Sequence, residues 1–316
     1  MAWPVSPWIA ALLLVGYATY AGFRNRVRMH AERHGKRIGP KVVALTVQRI
    51  LEWYSRLVGV RLASQSGEGL KNIDPKRPYI ITWHPHGAYS WSAIFSCSKF
   101  AVLGQPVGPE WFAVVAPVLF TIPFVSEALM LLNGRSCAKS VVEGFLRKGK
   151  TIGLQPGGIR EQLATLHDQE QAIFPAKLGF IRLAIKYGHD LLPVYFFNEN
   201  QLFWHSERAG SIARWLYRTT GAGLPFVAGR FGVPFGLPRK TDIHIRWGSP
   251  VRVGGPDPEP SDEKVEEVFA AYARELQGIF ARHAFECLRP EVAERGLRIV
   301  RLDGGEVPPM PPMVMP

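Results

Sequence analysis

The chain has 316 residues, 47% of them hydrophobic, and a formal net charge of +12. That length allows one large α/β domain or two smaller ones, and the charge favours acidic partners such as anionic lipid or a phosphorylated co-substrate. There is no zinc-finger spacing, no basic run interleaved with aromatics and no nucleic-acid module, so nucleic acid is not an expected partner. Cys97, Cys137 and Cys287 lie far apart, which excludes a disulfide framework and suits a reducing compartment.

Trp8 to Phe23 is an apolar run with Trp3, Trp8 and Tyr20 near its ends. It approaches the ~20 residues of a membrane span. Arg24, Arg26, Arg28, Arg33, Lys36, Arg37 and Lys41 follow. Positive charge stays on the cytosolic side, so residues 1–41 read as an N-terminal membrane anchor with a basic flank able to hold anionic headgroups. A re-entrant hairpin or a buried N-terminal helix is the alternative. Val42 to Val60 has helical spacing of apolar residues, which predicts an amphipathic helix that packs on the core or lies on the membrane.

After the turn Asp74 to Pro78, the β-prone run Tyr79 to Thr82 leads into Trp83-His84-Pro85-His86-Gly87. The pattern predicts a buried strand delivering two imidazoles to a loop at its carboxyl end. Gly87 permits a sharp turn and close approach of another molecule. Histidine titrates near neutrality and is the usual general base. Tyr89 to Val102 reads as a helix. Trp111 to Leu132 is apolar for 22 residues, but Pro117, Pro123 and Glu127 interrupt it, which predicts a strand and then a helix ending near Asn133-Gly134.

Ser140 to Lys148 reads as a short helix and Thr151 to Leu154 as a buried strand. That strand runs into Gln155-Pro156-Gly157-Gly158-Ile159-Arg160-Glu161, where the glycines let consecutive N–H groups face an anion. Lys177 to Tyr187 is predicted to be a helix closed by Gly188. Leu191 to Phe196 is an apolar strand ending at Asn198-Glu199-Asn200. Gly229 to Lys240 is a basic loop, Ile243 to Trp247 a strand, and Ser261 to Glu286 a long helix capped by Ser261. The Pro- and Met-rich tail from Gly304 is expected to be disordered. Strands alternating with helices predict an α/β fold, a largely parallel sheet flanked by helices, with chemistry at the carboxyl edge of the strands. The expected organisation is an anchor over 1–41, a catalytic domain over 42–303 and a tail over 304–316.

A histidine base, a carboxylate in Glu161 and backbone donors in Gly157 and Gly158 together suit acyl transfer. The residues alone leave a rival open, a metal-dependent hydrolase whose site begins with the H-x-H pair His84 and His86. Resemblance adds to this reading. His84-Pro85-His86-Gly87 resembles the H-P-H-G signature of the diacylglycerol acyltransferase 2 family. Pro123 to Met130, Pro156-Gly157-Gly158 with Glu161, Lys177 to Ala184, and Leu192 to Tyr195 with Glu199-Asn200 resemble four further blocks of that family in the same order.

The resemblance implies a mixed sheet of the glycerolipid-acyltransferase kind behind a membrane-anchoring helix. It implies transfer of a fatty acyl group from acyl-CoA to a lipid hydroxyl, most simply that of diacylglycerol, with monoacylglycerol or a wax alcohol as alternatives. It also implies a cytosol-facing domain at the endoplasmic reticulum membrane or lipid-droplet surface, and no metal or other cofactor. Some family members replace the first histidine by glutamate, so His86 is assigned as the base and His84 a supporting role, with Glu161, then Glu199 and Glu127, as candidates for the orienting acid. Pro85, Gly87, Gly157, Gly158, Arg160, Glu199 and Asn200 are the expected substrate-side residues, and Arg230, Arg239 and Lys240 join Arg160 as candidates for the CoA phosphates. Two departures stand out. Asn198 occupies a position that is usually glycine, and no aspartate follows either histidine at the glycerolipid-type spacing, where Tyr89 and Trp91 stand instead.

Overall fold

A computed structural model of the chain describes residues 7–221, 223–304, 306, 307 and 310. In order, the elements are α1 (Pro7–His34), α2 (Lys41–Leu57), β1 (Val60–Ser66), β2 (Tyr79–His84), α3 (Ser98–Leu103), β3 (Phe112–Val115), α4 (Val125–Leu131), β4 (Gly134–Ser136), α5 (Lys139–Leu146), β5 (Ile152–Leu154), α6 (Gly158–Ala164), β6 (Glu170–Phe174), α7 (Gly179–Tyr187), β7 (Asp190–Phe197), α8 (Glu207–Thr220), β8 (Thr241–Trp247), α9 (Asp262–Cys287), α10 (Pro290–Ala293), β9 (Leu297–Arg301) and β10 (Glu306–Val307).

The main sheet has the strand order β1-β8-β7-β2-β5-β3-β4. All neighbours are parallel except β7 and β8. A second sheet, β10-β9-β6, joins β6 and β9 in parallel. The expected α/β class with a largely parallel sheet and flanking helices is therefore the observed one. Strand β2 sits between β7 and β5, and its side chains alternate between two cores. Ile80 faces the core built on α7 and α9, where Thr82 meets the Tyr272 hydroxyl at 2.8 Å. Tyr79, Ile81 and Trp83 face the opposite core with Phe100, Trp111 and Ile245.

Local signals placed several elements correctly. Ser261 accepts from the Lys264 N–H at 3.2 Å and starts α9, whose first turn carries Asp262 and Glu263. Gly188 takes φ +66° and ends α7. The predicted helix over Tyr89 to Val102 is shorter and irregular: a π-helical turn over Ala93–Cys97 leads into α3. Strands β1, β4, β6 and β9 and helix α8 were not foreseen. Of the expected disordered tail, residues 306 and 307 form β10 against β9, and most of the rest lies outside the described residues.

The expected anchor corresponds to α1, a continuous helix of 28 residues that runs through the basic cluster. Among the described residues no helix is long and apolar enough to cross a membrane. Charged residues fill the second half of α1, and that half belongs to the domain. Arg24 is buried and bonds Glu127 of α4 at 3.2 Å and the Phe120 carbonyl at 3.1 Å. The Tyr20 hydroxyl donates to the same carboxylate, and Glu32 accepts from the Ser136 N–H at 3.1 Å. The first half leaves Leu12, Leu13 and Leu14 exposed, with Trp8 80% exposed, and Phe23 continues that apolar face just beyond it. Helix α2 also turns large apolar side chains outward. It buries Ala44, Gln48 and Ser55 and exposes Val42, Ile50, Trp53 and Leu57.

The two sheets are tied by a buried carboxylate. Glu170 on β6 accepts from the Tyr195 hydroxyl at 2.6 Å, Asn200 Nδ2 at 2.9 Å and Gln201 Nε2 at 2.9 Å. Removing it leaves three buried donors without an acceptor, each worth about 1–3 kcal/mol. Glu170→Ala is expected to lose at least about 3 kcal/mol in urea unfolding. A loss below about 1 kcal/mol would show that this network does not hold the sheets together.

Candidate active site

Because β7, β2 and β5 are adjacent and parallel, the loops at their carboxyl ends meet. They are Asn198-Glu199-Asn200, His84 to Ser90, and Gln155 to Glu161, the three loops the sequence singled out. This is the sheet edge where α/β proteins place their chemistry.

Glu161 is fully buried on α6 and bridges the histidine loop. Its Oε1 lies 3.1 Å from His84 Nδ1 and accepts from the His86 backbone N–H at 3.2 Å. His84 has no exposed surface, and its ring packs against Phe174 and Tyr272. Its Nε2 is buried without a hydrogen-bond partner. His86 is half-buried. Its Nδ1 stands 3.1 Å from the Gly87 carbonyl, which can only accept, so Nδ1 carries the proton and Nε2 keeps its lone pair. Burial holds the His86 pKa below the ordinary histidine value, against the opposing pull of Glu161. The ring is therefore a neutral base at physiological pH.

Two residues that sequence reasoning passed over complete this arrangement. Ser90 Oγ donates to Gln155 Oε1 at 2.7 Å and lies 3.3 Å from His86 Nδ1. Gln155 Nε2 reaches the Pro85 carbonyl at 3.4 Å. Isolated polar loop residues carry no periodic signal, so only the fold reveals them. The one sequence-level hint was that Gln155 leads directly into the Pro-Gly-Gly turn.

Gly87 has φ +63°, and an added Cβ there would lie 2.7 Å from Glu199 Cγ. Gly157 is required for a different reason: a Cβ there would collide with Glu161 and with the Ile173 carbonyl. The Gly158 N–H donates to the Gln155 carbonyl at 3.2 Å and closes the turn, so it is engaged and not an open donor. Pro85 links the two histidines, and Arg160 is exposed on the first turn of α6. Glu199 and Asn200 are both buried. Glu199 accepts from the N–H and hydroxyl of Ser92 and lies against Gly87, which ties down the chain just after the histidines. Asn200 belongs to the Glu170 network. Asn198, in place of the usual glycine, keeps a left-handed φ of +71°, which asparagine tolerates better than other side chains. Its amide donates to the Asp242 and Cys287 carbonyls at 2.9 and 2.8 Å.

Other expectations separate from the site. Glu127 is bound to Tyr20 and Arg24, not to a histidine. Arg230 is committed to the Val58 and Pro238 carbonyls. Arg239 bonds His167 Nε2 at 2.7 Å and stacks on Trp204. The two imidazoles of the H-x-H pair point to different partners, and among the described residues no three His, Cys, Asp or Glu side chains form a group that could hold a metal ion.

Burial raises the pKa of Glu199 to about 7. A carboxyl raised in the folded state stabilises the fold at low pH, and that contribution is lost as pH rises from the unfolded value of 4.5 through 7. The loss amounts to about 3 kcal/mol. Glu199→Gln lacks this term, so its stability relative to wild type is expected to rise by about that much between pH 4 and pH 8. Parallel thermal-melt profiles of the two proteins across that range would show that Glu199 does not titrate there.

A family model for diacylglycerol acyltransferase matches residues 17–291. Diacylglycerol O-acyltransferase 2B of Umbelopsis ramanniana is 29% identical over 231 residues, covering 67% of this chain and 65% of its own length. Diacylglycerol O-acyltransferase 2 of Dictyostelium discoideum is 30% identical over 232 residues, covering 70% of each. The 2-acylglycerol O-acyltransferase 1 of Bos taurus is 30% identical over 225 residues, covering 67% of each. The chain thus spans about two thirds of the length of these curated relatives. Among solved structures, the 1-acyl-sn-glycerophosphate acyltransferase of Thermotoga maritima aligns with a TM-score of 0.45 and 18% identity, over 87% of this chain and 94% of that one. With five ordered sequence blocks gathered on one fold, and a family model that spans most of it, the chain belongs to the diacylglycerol acyltransferase family.

Proposed function

We propose that this protein transfers a fatty acyl group from acyl-CoA to the free hydroxyl of an acylglycerol, diacylglycerol first, and that it works at a lipid surface. The observation that carries the reading is the His86 ring, with Nδ1 committed to the Gly87 carbonyl and Nε2 available, on a loop clamped by Glu161 and Glu199. The names of the relatives support the acceptor class. The exposed apolar half of α1 supports the lipid surface.

In this reaction His86 Nε2 takes the proton of the acceptor hydroxyl as its oxygen attacks the thioester carbonyl. The C–O bond forms, and the carbonyl π electrons move onto oxygen. Collapse of the tetrahedral intermediate breaks the C–S bond, and the imidazolium returns the proton to the departing CoA sulfur. His84 and Glu161 act through the loop: their contact fixes the strand end from which His86 projects, and the Glu161 bond to the His86 N–H sets the turn. Of the two glycine donors expected for the oxyanion, Gly157 is the one retained, because the Gly158 N–H closes the turn. Arg160 is the retained contact for the CoA phosphates.

Acyl transfer from labelled acyl-CoA, offered with diacylglycerol, monoacylglycerol and hexadecanol in turn, tests the reading and names the acceptor. His86→Ala is expected to lose roughly 10²–10⁴-fold in turnover. Turnover at wild-type level would remove His86 from the mechanism, and a larger loss in His84→Ala with His86→Ala active would move the base to His84. The same assay reads the pH dependence. The base works deprotonated, so kcat/KM should hold as pH falls past 6.5, the ordinary histidine value, and drop only below it. A drop centred above 6.5 would contradict the buried, neutral ring.

A further inference from the structure

Three phenylalanines share an unusual condition. Phe124, Phe231 and Phe235 all have left-handed backbone, with φ of +64°, +62° and +52°. They are 87%, 93% and 51% exposed. Left-handed φ strains any residue with a Cβ, and an exposed phenylalanine forfeits its burial. A chain surrounded only by water gains nothing from either, and here both occur together.

Two of the three lie in the basic loop Gly229 to Lys240, which acyl transfer leaves without a role. The loop is held in shape by its own backbone. Gly229 N–H donates to the Val233 carbonyl at 2.9 Å, Arg230 N–H to Leu237 at 2.7 Å and Phe235 N–H to Val227 at 3.0 Å. The Arg230 guanidinium ties it to the Val58 carbonyl at the end of α2, the helix whose Trp53 and Leu57 face outward. The other side of the same chain segment approaches the site, where Gly223 packs against Ile159 of α6. Helix α8, just before it, exposes Trp215 and Ile212. From Arg208 to Lys240 the sequence has six basic residues and no acidic one.

We infer that the Phe231 loop, with the outward face of α8, is a lipid-contacting edge separate from α1, whose partner is a bilayer surface bearing anionic headgroups. Charge complementarity selects the partner: Arg208, Arg218 and Lys240 are exposed and meet headgroups while the aromatic tip enters the acyl region. The backbone bonds hold the tip projecting before any lipid is met. This edge adjoins the first turn of α6, so lipid held by it lies beside the catalytic loops. The inference rests on the acyl-transfer reading only for its purpose, and vesicle binding, not turnover, decides it.

The test uses the full chain and vesicles of phosphatidylcholine with and without phosphatidylglycerol. Phe231→Gly relieves the left-handed strain, so it is expected to keep or raise Tm in detergent solution. Its affinity for anionic vesicles is expected to fall by roughly tenfold, the scale of one lost aromatic. Phe285→Ser, at an exposed phenylalanine on α9, serves as control and should bind as wild type. A fluorophore on Phe231→Cys in a Cys137→Ser background, read for this loop alone, should shift to the blue with anionic vesicles. Unchanged vesicle affinity of Phe231→Gly, a fall in its Tm, an equal loss in the control, or no shift of the fluorophore would overturn the assignment. So would a concentration-dependent dimer abolished by Phe231→Gly without any change in vesicle affinity, which would give the edge to a second copy of the chain. Loss of acyl transfer with vesicle binding intact would count against the catalytic reading alone.

Discussion

The site depends on one buried carboxylate. Glu161 is buried and touches both members of the histidine pair, one through its ring and the other through its backbone. A buried carboxylate is costly unless its hydrogen bonds are made. The histidine loop supplies two of them, both to Oε1, and in return it loses its freedom to turn. The second constraint is Glu199, which fills the space that any side chain at residue 87 would need. The loop is therefore held by two acids, and neither bonds the ring of His86, the base it carries.

The sheet order explains why such distant residues can cooperate. Histidines near residue 85, a glycine turn near 157 and a polar turn near 199 come from three strands that happen to be neighbours, β2 between β5 and β7. The second sheet then fixes the last of these turns through Glu170. Asn198 shows how far this frame tolerates change. It departs from the usual glycine in side chain but not in backbone conformation, and its amide finds two carbonyls that a glycine would leave to other donors.

Much of this was legible in the sequence because buried parallel strands are short continuous β-prone runs, and Tyr79 to Thr82, Ile152 to Leu154 and Leu191 to Phe197 stand out against polar loops. Strand β6 was not legible: it begins Glu170-Gln171, and only a network assembled from β7 and its loop makes a charged start to a buried strand reasonable. Helix α8 does repeat apolar residues at helical spacing, Ala209, Ile212, Ala213, Leu216 and Tyr217, but polar residues and Gly210 interrupt them, and the fold leaves Ile212 and Trp215 exposed. Glu161, then Glu199 and Glu127, were all open as the orienting acid. What separates them is tertiary: a histidine claims the first, a serine amide the second and an arginine from α1 the third. The positive charges behaved likewise, since Arg24, Arg230 and Arg239 are bound within the fold while Arg160 is exposed.

The union of α1 with the domain has a mechanical consequence. A flexible leader would let the catalytic body wander over a surface, and the local concentration of an acceptor would follow the leader's length. Here the helix is unbroken from its apolar end into the Arg24–Glu127 junction. At 1.5 Å per residue, its exposed half extends about 25 Å from that junction as a stiff strut. Whatever that exposed half rests on would meet the body at one height and one tilt, the orientational freedom of the junction having been removed in folding and not at each encounter.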